Sequence, residues 1–219
     1  MCGRFTFRHD LADISEWLDD CEDDEVLPAR YNIAPTDPIQ IVRMDADGLR
    51  RLHLARWGYL IENAKPGPPL INARGETVAT KYPFKFSFAG RRCLVPMSGY
   101  YEWRAVADGK QPYFVHPADD GPLAAAAVHH RAPDPKTGAL VETVAIITIA
   151  ARPELTALHE RMPVFVPPAQ HARWLDPATP VDVAQQLVLA LPGLVFAAVS
   201  RRVNSVKNDG PDLLDPLAL

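Results

Sequence analysis

Twenty-two prolines among 219 residues set the strongest limit on how this chain can fold. Proline has no backbone donor and its ring clashes with the preceding helical turn, so a proline-rich chain breaks into short elements joined by turns. The segments between the prolines have strand length and strand-like apolar patterning. PIQIVRM (38–44) and RRLHLARWG (50–58) read as strands, with DADG (45–48) as the hairpin turn between them. RRCLVPMSGYYEWR (91–104) reads as two short strands around Pro96 and Gly99. ADGKQ (107–111) is a second hairpin turn, leading into PYFVH (112–116). PLAAAAVHH (122–130), LVETVAIITIAA (140–151) and LVFAAVS (194–200) are further strands. Helices fit at 10–20, capped by Asp10 with Leu11, Ile14, Trp17 and Leu18 as the apolar stripe, and at 167–175 and 180–191. CEDDE (21–25) reads as a solvated turn and ENAKPGPPL (62–70) as a loop. Strands outnumber helices and the turns are tight. This predicts an α+β fold in one domain over residues 1–219, with a mostly antiparallel, curled, barrel-like sheet and flanking helices.

The chain is long enough for a sizeable core, and its 47% hydrophobic and 23% charged content is that of an ordinary globular protein. No apolar run approaches the roughly 18 residues of a membrane span, and no secretory pattern follows Met1, so a cytoplasmic protein without membrane contact is expected. Cys2, Cys21 and Cys93 are odd in number and widely spaced, which fits neither a disulfide framework nor a metal site. No cofactor is called for. The net charge of −4 argues at first against nucleic acid. Yet nine of the 27 acids crowd into residues 10–25, and the other 18 face 23 bases, leaving room for a local basic face.

Four stretches carry chemistry. Loss of Met1 would give Cys2 a free α-amine beside its thiol. The reference pKa values, near 7.7–8.0 and 8.5, leave a useful fraction of neutral amine around pH 7. Such an amine attacks an aldehyde to give an imine, and the thiol can then close a five-membered thiazolidine in an effectively unimolecular step. An N-terminal Cys can also attack an amide with its own amine as base. In LINARGET (70–77), Asn72 and Arg74 share a face if the segment is a strand, offering an amide and a phosphate-binding fork. In GYYEWR (99–104), Glu102 lies among Tyr100, Tyr101 and Trp103, where desolvation would raise its pKa toward acid–base use. In LHERMPV (158–164), a segment expected as an extended turn, His159 can shuttle a proton and Arg161 can hold a phosphate. Each signal also has a plain structural reading: a small terminal residue, a loop Asn, a solvent-facing Glu, a packing His.

The motifs MCGRF, RYNIAPT (30–36), INARGET (71–77), RRCLVPMSGYYEW (91–103), HERMP (159–163) and VSRRVNSVKNDGPDL (199–213) occur in this order. Together they resemble the SOS response-associated peptidase family, the abasic-site shielding proteins, over essentially the full length. The resemblance implies loss of Met1 by autoproteolysis, binding of single-stranded DNA at an abasic site, and a thiazolidine between Cys2 and the ring-opened deoxyribose aldehyde. It makes Cys2 the crosslinking nucleophile, Glu102 the acid–base, His159 an assistant in Schiff-base chemistry and reversal, and Asn72 the residue that positions Cys2. Arg4, Arg74 and Arg161 would hold phosphates flanking the lesion. Lys81, Lys85, Arg56, Arg201, Arg202 and Lys207 would extend a basic groove. Pro35 and Trp57 are candidates for base stacking, although Trp57 reads better as core. A lyase-like activity, the replication machinery as a further partner and, in a bacterium, association with the nucleoid complete what the resemblance implies; a monomer is expected, since nothing in the sequence points to a larger assembly.

The chain departs from the family pattern in two places. Residues 59–69 lack the tryptophans that many members carry there, and His129–His130 stands where an aromatic and an acid are common. Adjacent strand residues face opposite ways, so the two histidines do not read as a metal pair. Two rival functions remain open on the residues alone: an N-terminal-Cys amidohydrolase acting on small amides or peptides, and a non-covalent reader of modified DNA.

Overall fold

A computed structural model describes residues 2–20, 27–62, 67–187 and 193–217. Its twelve strands are β1 (Phe5–Phe7), β2 (Arg30–Ile33), β3 (Pro38–Met44), β4 (Arg50–Trp57), β5 (Asn72–Arg74), β6 (Arg92–Met97), β7 (Gly99–Val106), β8 (Gly109–Pro117), β9 (Leu123–Pro133), β10 (Leu140–Ala150), β11 (Arg161–Pro163) and β12 (Leu194–Ala198). The α-helices are short: α1 (Lys85–Gly90), α2 (His171–Leu175) and α3 (Val181–Leu187).

Strands β4, β3, β6, β9 and β10 pair in that order, and β10 pairs back onto β4, so this sheet closes on itself. The closing pair runs parallel, as does β5 with β10; the remaining pairs are antiparallel. The second sheet has the order β12-β8-β7-β1-β2 and packs against the barrel through one apolar cluster. β6 is buried at every position, and so are Leu123–Val128 of β9. The four alanines at 124–127 present little bulk there, and Ala125 bridges to Phe165. Arg92 is buried without a carboxylate. Its guanidinium instead donates to the carbonyls of Phe88 (2.7 Å), Ala89 (3.0 Å) and Trp174 (2.8 Å), tying α1 and α2 to the barrel.

The α+β class and the antiparallel, barrel-like core agree with expectation, and the strands at 38–44 and 50–57 fall where the alternation placed them. The hairpin turn at 45–48 closes on Gly48 at φ +84°. Ser98 separates β6 from β7. A Cβ on Gly99 would lie 2.6 Å from Phe114 and from the Val115 carbonyl, so only glycine lets β7 approach β8 there.

Several expectations need correction. The helix expected at 10–20 is one 3₁₀ segment, Ala12–Trp17; Asp10 does accept from the Asp13 amide (3.1 Å), but Leu18 is already extended. The nearby carboxylates bond locally rather than supporting a longer α-helix. The 167–175 helix divides into a 3₁₀ turn at Pro168–Gln170 and α2, because its two prolines sit at the start. β9 and β10 run longer than expected, and β2, β5, β11 and α1 were too short to show a period. Cys21, the CEDDE stretch, part of the 62–70 loop and the end of the 180–191 helix lie outside the described residues. Among the described residues, no helix is long and apolar enough to cross a membrane.

Candidate functional site

Pairing of β1 with β7 fixes where the chain's start must lie. Phe5 stands opposite Tyr100, and the Tyr101 amide donates to the Arg4 carbonyl (2.9 Å). The strands are antiparallel, so residues before Phe5 run alongside residues after Tyr100. Cys2 thereby comes to the level of Glu102 and Trp103, and it is fully buried. From the other sheet, β5 lies parallel to β10 with Asn72 opposite Ile146 and Arg74 opposite Thr148. Asn72 and Arg74 therefore share a face, as their spacing predicted. The Asn72 Nδ2 donates to the Cys2 carbonyl (2.8 Å), while its buried Oδ1 has no hydrogen-bond partner among the described residues.

Glu102 is 4% exposed, which contradicts the reading of a solvent-facing acid. Burial raises its pKa above the ordinary carboxyl value, while the His159 imidazole pulls it back down. Cys2 responds to the same surroundings: burial, with the Glu102 charge behind it, pushes its thiol far above the usual range. His159 follows the 3₁₀ turn Pro153–Leu155. Its Nδ1 accepts from the Arg161 backbone amide (2.9 Å), so in the neutral ring the proton sits on Nε2.

Glu102 and His159 line a cavity of about 430 Å³ together with Arg4, Trp103, Lys110 and Asn204. The Arg4 guanidinium lies 5.8 Å from the Trp103 ring centre and donates to Asn32 Oδ1 (2.7 Å) and the Val203 carbonyl (2.8 Å). Trp103 in turn donates to Asn204 Oδ1 (2.7 Å). The site thus unites the Cys2, Asn72, Glu102 and His159 candidates, with Arg4 in its wall.

The other candidates stand further out. Arg74 and Lys81 are exposed, with no side-chain hydrogen bond or ion pair among the described residues. Pro35 is half-buried in the turn between β2 and β3 and does not line the cavity. Arg161 is not an open phosphate fork: it clasps Glu76 with both nitrogens (2.5 and 2.9 Å) and donates to the Thr148 carbonyl (2.5 Å). Trp57 is buried and donates to the Ile71 carbonyl (3.0 Å), so it is core beneath the Asn72 strand rather than a stacking platform. Among the further basic candidates, Arg56 pairs with Asp134, Arg201 with Asp108 and Arg202 with Asp212. His129 bonds Glu142 (2.5 Å) while His130 stacks on Tyr59, on opposite faces of β9.

Trp103, Lys110 and Asn204 had no role in the sequence reading. Alternation along β7 would have set Trp103 opposite Glu102, and nothing local marks Lys110 or Asn204. The one usable signal was the co-occurrence of RYN and VNSVKND. In the fold Asn32 Nδ2 reaches the carbonyls of Val203 (3.3 Å), Ser205 (3.0 Å) and Asn208 (2.7 Å), pinning that late segment against the cavity.

Known proteins resemble this chain in sequence and fold. The abasic site processing protein YedK of Escherichia coli is 33% identical, across 99% of this chain and 100% of its own. The abasic site processing protein YoqW of Bacillus subtilis is 31% identical, across 98% and 99%. A crystal structure of a phage-related protein from Bordetella bronchiseptica superposes with TM-score 0.75 at 30% identity, covering 91% of this chain and 95% of that one. A protein from Bacteroides thetaiotaomicron has the same fold at TM-score 0.83 and 19% identity, over 99% and 100% of the two chains. The profile described as SOS response associated peptidase matches residues 1–206, and the chain belongs to that family.

Proposed function

We propose that this protein acts on abasic sites in single-stranded DNA and, once Met1 is gone, joins Cys2 covalently to the opened sugar. The observation that carries this reading is the grouping of four residues: Asn72 holds Cys2, Cys2 feels the Glu102 charge, and Glu102 and His159 line a cavity with Arg4 and Lys110 in its wall. The named relatives are abasic site processing proteins, which supports the same substrate.

The chemistry follows from the groups present. The Cys2 α-amine adds to the C1′ aldehyde, and the carbinolamine loses water to give an imine. The thiol then adds across the C=N bond. Its sulfur bonds the former aldehyde carbon, its proton passes to nitrogen, and a thiazolidine results with one water released overall. A carboxyl whose pKa is raised by burial can serve both steps. As the acid, Glu102 donates to the departing hydroxyl; as the carboxylate, it then receives the thiol proton. In this reading His159, in the cavity wall, donates from Nε2–H to an oxygen of the sugar. Asn72 holds the Cys2 carbonyl and so fixes the direction of amine and thiol. An imine left alone promotes β-elimination and strand cleavage, so capture by sulfur separates shielding from lyase behaviour. In the corresponding peptidase step the Cys2 thiol attacks the Met1 carbonyl carbon, the acyl group passes from nitrogen to sulfur and frees the amine, and one water hydrolyses the thioester to release Met1.

The test is a denaturing gel with a single-stranded oligonucleotide bearing one abasic site. The wild type gives a heat-stable shifted band. Cys2→Ala gives none unless borohydride is added, because its terminal amine forms only an imine. A heat-stable band from Cys2→Ala without reductant would refute the thiazolidine.

A further inference from the structure

A second groove lies along the sheet from the Cys2 site and shares no lining residue with the Glu102–His159 cavity. β1 starts at the Cys2 site and leads away from it, and β8, antiparallel to β7, runs the same way. Between the 3₁₀ turn after β1, the loop after β8 and the segment after β11 lies a groove of about 520 Å³. Its floor is apolar: Trp17, Phe165, Val166 and Pro168. Its rim carries Asp13, Glu16 and Asp119, and among the described residues no lysine or arginine lines it. The neighbouring cation, Arg8, is already taken by Asp120.

This combination excludes nucleic acid, whose phosphates the rim repels, and fits a chain with the opposite charge. We propose that this groove docks a basic peptide segment of a partner protein, with an apolar side chain seated on Trp17 and Phe165 and flanking Lys or Arg side chains against Glu16 and Asp119. The apolar floor asks for an anchor residue, and its size suits one or two side chains rather than a folded surface. The groove and the Glu102–His159 cavity share no lining residue, so the partner and the lesion do not compete for the same side chains. The proposal stands whether or not the crosslinking reading holds.

The probe is a fluorescein-labelled decapeptide alternating Arg and Leu, read by anisotropy. Three variants separate its causes. Glu16→Gln with Asp119→Asn removes the rim charge. Gly121→Trp blocks the mouth; a Cβ there meets only Asp119 at 3.6 Å, so the backbone accepts it. Asp182→Asn with Asp215→Asn removes two exposed charges elsewhere. The wild type binds in the micromolar range, the rim variant at least tenfold more weakly and the blocked variant not measurably, while the distant variant binds as wild type. Circular dichroism confirms that each variant is folded. No binding by the wild type, equal weakening by both charge variants, or unaltered binding by folded Gly121→Trp would each overturn the proposal. So would displacement of the peptide by spermine at equal charge, since spermine carries no apolar anchor.

Discussion

At the level of single residues, the site depends on a buried acid. The charged form of Glu102 is the one disfavoured inside the fold, so its folded pKa lies above its unfolded one. Wild-type stability is therefore complete below the ordinary carboxyl range and declines as pH rises through the raised value. Glutamine carries no such charge. Glu102→Gln should match the wild type in thermal melts near pH 4 and exceed it at pH 8, while forming the abasic adduct about 100-fold more slowly. A Tm difference that is constant from pH 4 to 8 would contradict the burial account. A second residue-scale expectation concerns the clasp between Arg161 and Glu76. Glu76 is half-exposed, so Glu76→Gln should cost at most about 1 kcal/mol of stability. It should also free Arg161 for phosphate, tightening undamaged single-stranded DNA and steepening the salt slope by about 0.7. Weaker binding would instead make Glu76 the support that aims Arg161. The sequence marked Arg161 as a phosphate fork but could not show that this fork closes on Glu76, because the two lie 85 positions apart.

Elements were legible where they were long. The strands 38–44 and 50–57 could be read directly, since they are seven and eight residues long and the DADG turn joins them. The three-residue strands β1, β5 and β11 could not, because a period of two needs more residues than they have. Yet these short strands carry Cys2, Asn72 and Arg161 to or near the site. Their positions come from long-range pairing, as with β5 beside β10. The same holds for the late segment that supplies Asn204. It is fixed by the Asn32 amide at three carbonyls, and Asn32 also receives Arg4. Asn32→Ala should lower stability by about 2–3 kcal/mol in urea unfolding, since the carbonyls it leaves are partly buried. It should also weaken DNA binding by loosening Arg4 and Asn204 together. A variant with lowered stability and unchanged DNA affinity would show that the segment only seals the fold.

For the whole molecule, net charge is a poor guide to partners. The chain carries −4 overall, yet many of its arginines are paired with carboxylates, and the exposed Arg74 and Lys81 bond to no acid among the described residues. Binding of undamaged single-stranded DNA should therefore involve few phosphates. The slope of log K against log salt should be roughly −2, from about three contacts, rather than the steep slope of a strongly basic protein. A slope near zero would exclude the cationic wall as the DNA site. Composition hid this division, and it also hid the acid-rimmed groove, because both depend on which charges are neutralised across sheets. The crosslink at Cys2 is tested by the intact mass of the protein after incubation with a single-stranded abasic oligonucleotide, followed by peptide mapping. The expected species equals the chain without Met1 plus the oligonucleotide less one water, with the attachment at Cys2. An adduct on a lysine, an adduct on chain that retains Met1, or no adduct on chain from which Met1 is gone would contradict it.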